Sequence, residues 1–293
     1  MIRTYEKRGL KYMKKTSFLT LEKAREIIDQ IPTPFHLYDE AGIRRNARAA
    51  ENIGIELIIV NDSPDCPVCY DPAWVDGFSL QIHSNPDNLG IHGSRIRGLD
   101  LAKGEFIVFL DQDDLLADHA LMSQYMLADD SDVVVANGYN ENRDRQKPIF
   151  HSPVHQRQVS LQRFYLSVGC LIVSPGQCMI RKTAIPELWK ERKIRCNGAD
   201  DYFLWLLLLN RPCRWKENPE VLYTHVDTGE NMSADLERML RSSEEVLNIL
   251  RSEGLLTERQ VRLAARRFDM RRMYEGRGKW RKAAACLRYP DLF

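Results

Sequence analysis

The stretch FIVFLDQDDLL, residues 106–116, carries an apolar run straight into three carboxylates, Asp111, Asp113 and Asp114. Like charges that close repel and raise one another's pKa unless a cation sits among them. A hard divalent ion, Mg²⁺ or Mn²⁺, takes oxygen ligands of this kind, commonly one or two carboxylates completed by substrate phosphates. The cluster therefore points to a metal and a diphosphate-bearing ligand. A single acid after a strand is more often a helix cap or an Asx-turn, and Asp114 before two leucines could be that. Another acid, Asp62, closes the run ELIIVND.

The elements that would position these acids are legible in the pattern. GIELIIVNDSPD (54–65) and EFIVFLD (105–111) read as buried strands bounded by turns. FSLQIHSNP (78–86) alternates as a strand, 91–103 reads as a helix, 118–129 as an amphipathic helix, and DVVVANGY (132–139) as a strand. Such alternation predicts an α/β three-layer sandwich with a mostly parallel central sheet, whose ligands sit beyond the carboxyl ends of the strands. Residues 171–185 add strand material around a Ser-Pro-Gly turn. A helix starts near Gly198-Ala199-Asp200-Asp201 and carries FLWLLLL inward, and the chain beyond Ser233 is a helical tail.

Order and spacing extend the reading. VNDSPD, followed by NLGIHGSRIRGLDLAKGEFIVFLDQDD, resembles the core of family 2 glycosyltransferases with the type A, nucleotide-diphospho-sugar-binding fold. That pattern runs N-x-G-x-x-x-A-R-N-x-G, then A-x-G-x-x-x-x-F-L-D-x-D-D. It is met at Asn88, Gly90, Arg95, Gly98, Ala102, Gly104, Asp111, Asp113 and Asp114, with Ser94 as the small residue and Ile96 in place of Asn. NGADDYFLWL (197–206) looks like the family's acidic helix start, and LYTHVDTGENMS (222–233) like its Tyr-x-x-His segment; the similarity covers residues 54–233.

The resemblance implies roles. Asp62 would accept from the nucleobase, and Arg95 would face the base or diphosphate. Asp111 would lie near the ribose and metal, Asp113 would ligate the cation, and His225 would bind metal or diphosphate. Asp201 would take the acceptor's proton, with Asp200 raising its pKa. The activity implied is an inverting, hexosyltransferase-like transfer from a nucleotide sugar, a UDP-sugar first, to a glycan or lipid-linked hydroxyl acceptor in bacterial surface-glycan synthesis, with Mn²⁺ or Mg²⁺ as cofactor.

One segment departs from the pattern. Before Ile55 the family's opening strand is missing, and TPFHLYDEAGIRRNAR, within 18–50, resembles the N-terminus of diaminopimelate-decarboxylase-like enzymes. The expectation is a chimera: an N-terminal extension over 1–33, and residues 34–53 as a substituted first βα unit whose strand, 34–39, fills the central slot of a transferase domain over 34–233. The competing reading is a catalytically impaired nucleotide-binding or scaffold protein.

Composition narrows the partners. A net charge of +1 with 28% charged residues lacks the basic footprint of a nucleic-acid binder. No apolar run approaches the ~18 residues of a membrane span, and the charged N-terminus has no apolar signal core, which places the chain in the cytoplasm or at the inner membrane face. Seven cysteines without framework spacing fit a reducing compartment. Cys66 and Cys69 have CxxC spacing but no second pair, so free loop thiols are expected. Residues 254–293 hold eleven Lys/Arg against four acids. Val261, Leu263, Ala264, Phe268 and Met273 among those arginines make either a packing helix or a basic amphipathic helix for an anionic membrane.

Overall fold

The computed structural model describes residues 54–69, 78–142, 145–227, 235–274 and 279–289. The chain divides into residues 1–35 and 36–293, and every described residue belongs to the second unit. The expected strand at 34–39 lies outside the described residues.

Strands β1 (Glu56–Asn61) and β2 (Ser79–Ser84) pair in parallel, from Glu56 opposite Ser79 to Asn61 opposite Ser84. Helix α1 (Gly90–Leu101) returns along β1 and leads to β3 (Phe106–Ile107). The run after β3 leaves the ladder at once, passes through the acidic turn and re-forms as β4 (Leu115–Leu116), followed by α2 (Ala120–Tyr125). Next come β5 (Val133–Asn142) and β6 (Arg145–Pro148), then short helices α3 (Pro153–Arg157) and α4 (Gln162–Ser167). A 3₁₀ turn at Pro175–Gln177 precedes β7 (Cys178–Arg181) and α5 (Glu187–Glu191). Helix α6 (Asp200–Leu209) and the long β8 (Trp215–Asp227) follow, then α7 (Leu236–Ser252), α8 (Glu258–Tyr274) and α9 (Lys279–Arg288).

The larger sheet is ordered β3-β7-β5-β8-β4, with β6 on the far end of β5. It is mixed rather than mostly parallel. Only β5–β8 runs parallel in it; β3–β7, β5–β7, β4–β8 and β5–β6 are antiparallel. Periodicity reports burial, not direction, and β5 and β7 are apolar because both lie mid-sheet: Val133, Val134, Val135, Ala136, Cys178 and Ile180 are at most 1% exposed.

The β5–β8 register slips around Asn137, where Pro219 cannot donate to a ladder. Gln156 fills the gap, its amide donating to Val135 O at 3.0 Å and Asn218 O at 2.7 Å. Past this irregularity, β8 delivers Tyr223 and His225. Helix α6 is apolar on every face and accordingly buried, with Phe203, Leu204, Trp205 and Leu206 at 0% exposure.

Helix α8 packs its apolar residues against the protein. Ala264 and Phe268 are buried, and Val261, Leu263 and Met273 half-buried, so its apolar stripe packs inward. Arg267 goes with it, 4% exposed, donating from Nη1 to Tyr165 O at 2.7 Å and lying over the Tyr202 ring. The exposed charges of α8 are Arg259, Arg262 and Arg266, with Glu258 and Asp269. No described helix is long and apolar enough to cross a membrane. Cys66 and Cys69 are free thiols.

Candidate active site

The cation among the carboxylates is in the first instance Arg95. Helix α1 projects it between two elements that sequence leaves far apart. Its Nη2 lies 2.5 Å from Asp111 Oδ1 and its Nη1 2.8 Å from Asp200 Oδ2. The Arg95 side chain is 12% exposed, Asp200 3% and Asp111 38%, so the pair with Asp200 is buried while the pair with Asp111 faces outward. The two acids hold the guanidinium well above its ordinary pKa despite burial. Ser174 donates to the other Asp111 oxygen at 3.2 Å, and its hydroxyl also accepts from Gly176 N. At Gly176 a Cβ would come within 2.8 Å of the Tyr223 ring, so the Ser-Pro-Gly turn needs its glycine to lie against β8.

Asp201 follows Asp200 in the first turn of α6, where a helix N-terminus favours acids. Its Oδ1 accepts from Tyr202 N at 2.6 Å. Burial, then the adjacent Asp200 charge, push its carboxyl up to about 7, with Arg95 pulling the other way. A carboxylate poised there is suited to general-base work near neutrality. Asp200, expected beside it as the like charge that raises its pKa, does so while its carboxylate is engaged by Arg95. The helix start is held by Ala199 N donating to Ser242 Oγ at 3.0 Å, by Trp189 Nε1 donating to Asp200 O at 2.9 Å, and by Gly198 at φ +135°.

The second half of the acidic turn meets β8. Asp114, its side chain wholly buried, accepts from Tyr223 Oη, from His225 Nδ1 at 2.9 Å and from Val226 N at 3.2 Å. It is thus neither a helix cap nor a free ligand but the anchor of the segment carrying His225. Because a carboxylate only accepts, the proton in this bond sits on Nδ1, and in the neutral ring Nε2 keeps its lone pair. The Asp114 bond raises the His225 pKa. Burial, with Asp114 next, raises the Asp113 pKa, and His225 opposes it.

Asp62 has a structural part that the resemblance did not give it. Oδ1 accepts from Leu89 N and from Asn85 Nδ2, both at 2.7 Å, and Oδ2 accepts from Gly90 N at 2.8 Å. Both oxygens hold the start of α1, where Gly90 has φ +75°, so this acid positions the helix bearing Arg95.

Among the described residues, no three His, Cys, Asp or Glu side chains are gathered as a ready metal site. Asp111 is engaged by Arg95 and Ser174, and His225 by Asp114. The donor chemistry still suits a hard divalent cation: Asp113 is a carboxylate beside Asp111 and Asp114, whose charges, after burial, help raise its pKa. Asp113 with Asp111 would hold such an ion, and phosphate oxygens and water would supply the other ligands.

Sequence reading missed Ser174, Tyr223, Trp189 and His92. The first two had a usable signal, a Ser-Pro-Gly turn and a Tyr two residues before a candidate ligand; the others gain meaning only through contacts across the fold.

Residues 31–189 match the family described as Glycosyl transferase family 2, a span that includes residues 34–53. The chain is 25% identical over 216 residues to WfaP of Escherichia coli, named a UDP-Glc:alpha-D-GlcNAc-diphosphoundecaprenol beta-1,3-glucosyltransferase, covering 71% of this chain and 78% of that protein. It is 35% identical over 99 residues to EpsH of Bacillus subtilis (strain 168), named a glycosyltransferase; that match spans 32% of this chain and 28% of EpsH. Among solved structures, S. aureus TarS 1–349 in complex with UDP-GlcNAc superposes with a TM-score of 0.55 at 15% identity, over 81% of this chain and 69% of that one. Its form without that ligand gives 0.52 over 82% and 70%. These likenesses give the type A glycosyltransferase α/β fold, and the chain belongs to glycosyl transferase family 2.

Proposed function

We propose that this protein transfers a sugar from a UDP-sugar to an acceptor hydroxyl by a single inverting displacement. The observation that carries the reading is Asp201: a carboxyl held near neutrality, at a helix start tied through Arg95 to an acidic turn. In this scheme Asp201 accepts the acceptor's proton as its oxygen bonds to the anomeric carbon. The bond from that carbon to the diphosphate breaks, its electron pair leaving with UDP. Arg95 keeps Asp200 and Asp111 in register, and Asp113 with Asp111 would bind Mn²⁺ or Mg²⁺. Such an ion neutralises charge on a departing diphosphate. A uridine donor is supported by the name of WfaP and by the UDP-GlcNAc complex of TarS. The WfaP name also supports an acceptor carried on a lipid diphosphate, in surface-glycan synthesis.

The test is thermal stability with UDP and MnCl₂ or MgCl₂, followed by hydrolysis of a panel of UDP-sugars. Metal-dependent stabilisation by UDP is expected, amounting to about 2.7 kcal/mol at a hundredfold excess over Kd, and Asp113→Ala should lose it. If no nucleotide stabilises the wild type with either metal, a non-catalytic scaffold replaces this reading.

A lipid-linked acceptor calls for membrane contact, and the inward packing of α8 leaves charge to provide it. Flotation with vesicles containing phosphatidylglycerol should retain the protein at low salt and release it at ~0.5 M NaCl. Replacing Arg259, Arg262 and Arg266 by Gln should weaken retention; unchanged flotation removes the membrane idea.

A further inference from the structure

His92 is fully buried on α1, three residues before Arg95 and at an unspecified position of the N-x-G-x-x-x-A-R pattern. Both ring nitrogens are used. Ile194 N donates to Nδ1 at 3.1 Å, so that nitrogen keeps its lone pair, and the Nε2 proton goes to Trp189 O at 2.9 Å. The ring leans on the Trp189 indole at a centroid distance of 4.7 Å and meets Phe203 of α6 edge-on at 6.3 Å. Trp189 in turn donates its indole N–H to Asp200 O at 2.9 Å.

Two links therefore join α1 to the start of α6, and both end on one residue. Arg95 grips the Asp200 carboxylate, and His92 reaches the Asp200 main chain through Trp189. We propose that His92 is a positioning residue for the reaction: it holds α1 against the 189–194 segment so that Arg95 stays seated between Asp200 and Asp111, and through them it tunes the base Asp201. This rests on the assignment of Asp201 as base.

A histidine that merely fills the core would make the same contacts but leave Asp201 indifferent to its loss. The charged groups facing His92 are Asp200, Arg95 and Lys193; burial, aided by Arg95 and Lys193, outweighs Asp200 and the Trp189 carbonyl to keep its pKa low. The neutral ring suits the role, since an imidazolium would have no lone pair for Ile194 N. The charged groups facing Asp201 are Asp200, Arg95 and Asp111. Arg95 is the one that lowers the Asp201 pKa, so a loosened α1 should let that pKa climb.

The test is carbon-13 NMR titration of the Asp201 carboxyl in the full chain, assigned with Asp201→Asn, beside the acid limb of UDP-sugar turnover. His92→Phe keeps a ring and loses both hydrogen bonds; His92→Gln retains a donor for Trp189 O. The expected result is an Asp201 midpoint raised by about half a unit or more in His92→Phe, with turnover at pH 7 down about twofold or more as the ionised fraction falls, the KM for the donor little changed, and His92→Gln in between. Leu250→Ala, a buried site on α7, should lower Tm without moving the midpoint. An unmoved midpoint in His92→Phe, or in His92→Gln should the former fail to fold, overturns the proposal. A wild type that titrates near 7 yet consumes no UDP-sugar overturns the transferase reading alone.

Discussion

Asp201→Asn should abolish sugar transfer while making the protein more stable. Losing a general base is worth roughly 10²–10⁴ in rate, and Asn keeps an oxygen for Tyr202 N. The stability gain follows from the sign of the shift. The folded carboxyl titrates near 7, above the ~3.9 of an unfolded chain. Between these values the unfolded state ionises freely while the folded state holds its proton, so the wild type loses stability as pH rises through this window. Above about 7 the folded protein carries the full cost of a buried charge beside Asp200. Asn never ionises and avoids that cost. Its advantage should be small near pH 4–5 and reach about 1–3 kcal/mol by pH 8, several degrees in Tm. Turnover of the wild type should fall away below about pH 7. Denaturation of both proteins at pH 5 and pH 8 provides the check. A variant no more stable than wild type at pH 8 would mean the carboxyl is not held up by its surroundings.

Arg95→Met should be the most damaging single change at the site. It removes a cation of 12% exposure and leaves Asp200, 3% exposed, with its charge unpaired next to Asp201 and across from Asp111. Breaking a buried pair on one side costs about 3–5 kcal/mol, because the partner stays behind uncompensated. The deficit should be greater at pH 8 than at pH 5, since protonation of the carboxyls relieves the repulsion. It should exceed that of Arg95→Lys, whose single ammonium cannot fork to two acids on different elements. Because Arg95 lowers the Asp201 pKa, any remaining activity should show its acid limb at higher pH than wild type. Chemical denaturation of the three proteins at both pH values decides the matter: a Met variant as stable as wild type at pH 8 would deny Arg95 its central place.

Much of this site was legible in the chain. The acidic turn at 111–114, the acidic start of a buried helix at 200–201, and His225 could be singled out because local signals mark them: an apolar run ending in carboxylates, and an apolar helix entered through two acids. The fold class followed from the alternation of strands and helices. Burial was readable too, as in ELIIVN, VVVA and FLWLLLL, where composition alone demands an interior.

What no local signal carries is who meets whom. Strand direction was misjudged because an apolar strand looks the same parallel or antiparallel. The strand read over 105–111 is a two-residue ladder because β7 offers partners only at Arg181 and Ile180. Adjacent and chemically identical, Asp200 and Asp201 carry no local signal of which does what, and the resemblance alone gave the base to Asp201; Arg95, 105 positions away from Asp200, engages that acid and leaves its neighbour to rise. That Asp62 clamps α1 was not legible, because the backbone N–H groups it holds lie 27 and 28 residues on. Residue types and spacing thus determined which groups could do chemistry. Only the folded chain, by placing charges within a few ångströms of one another and away from water, decided which of them is left free to do it.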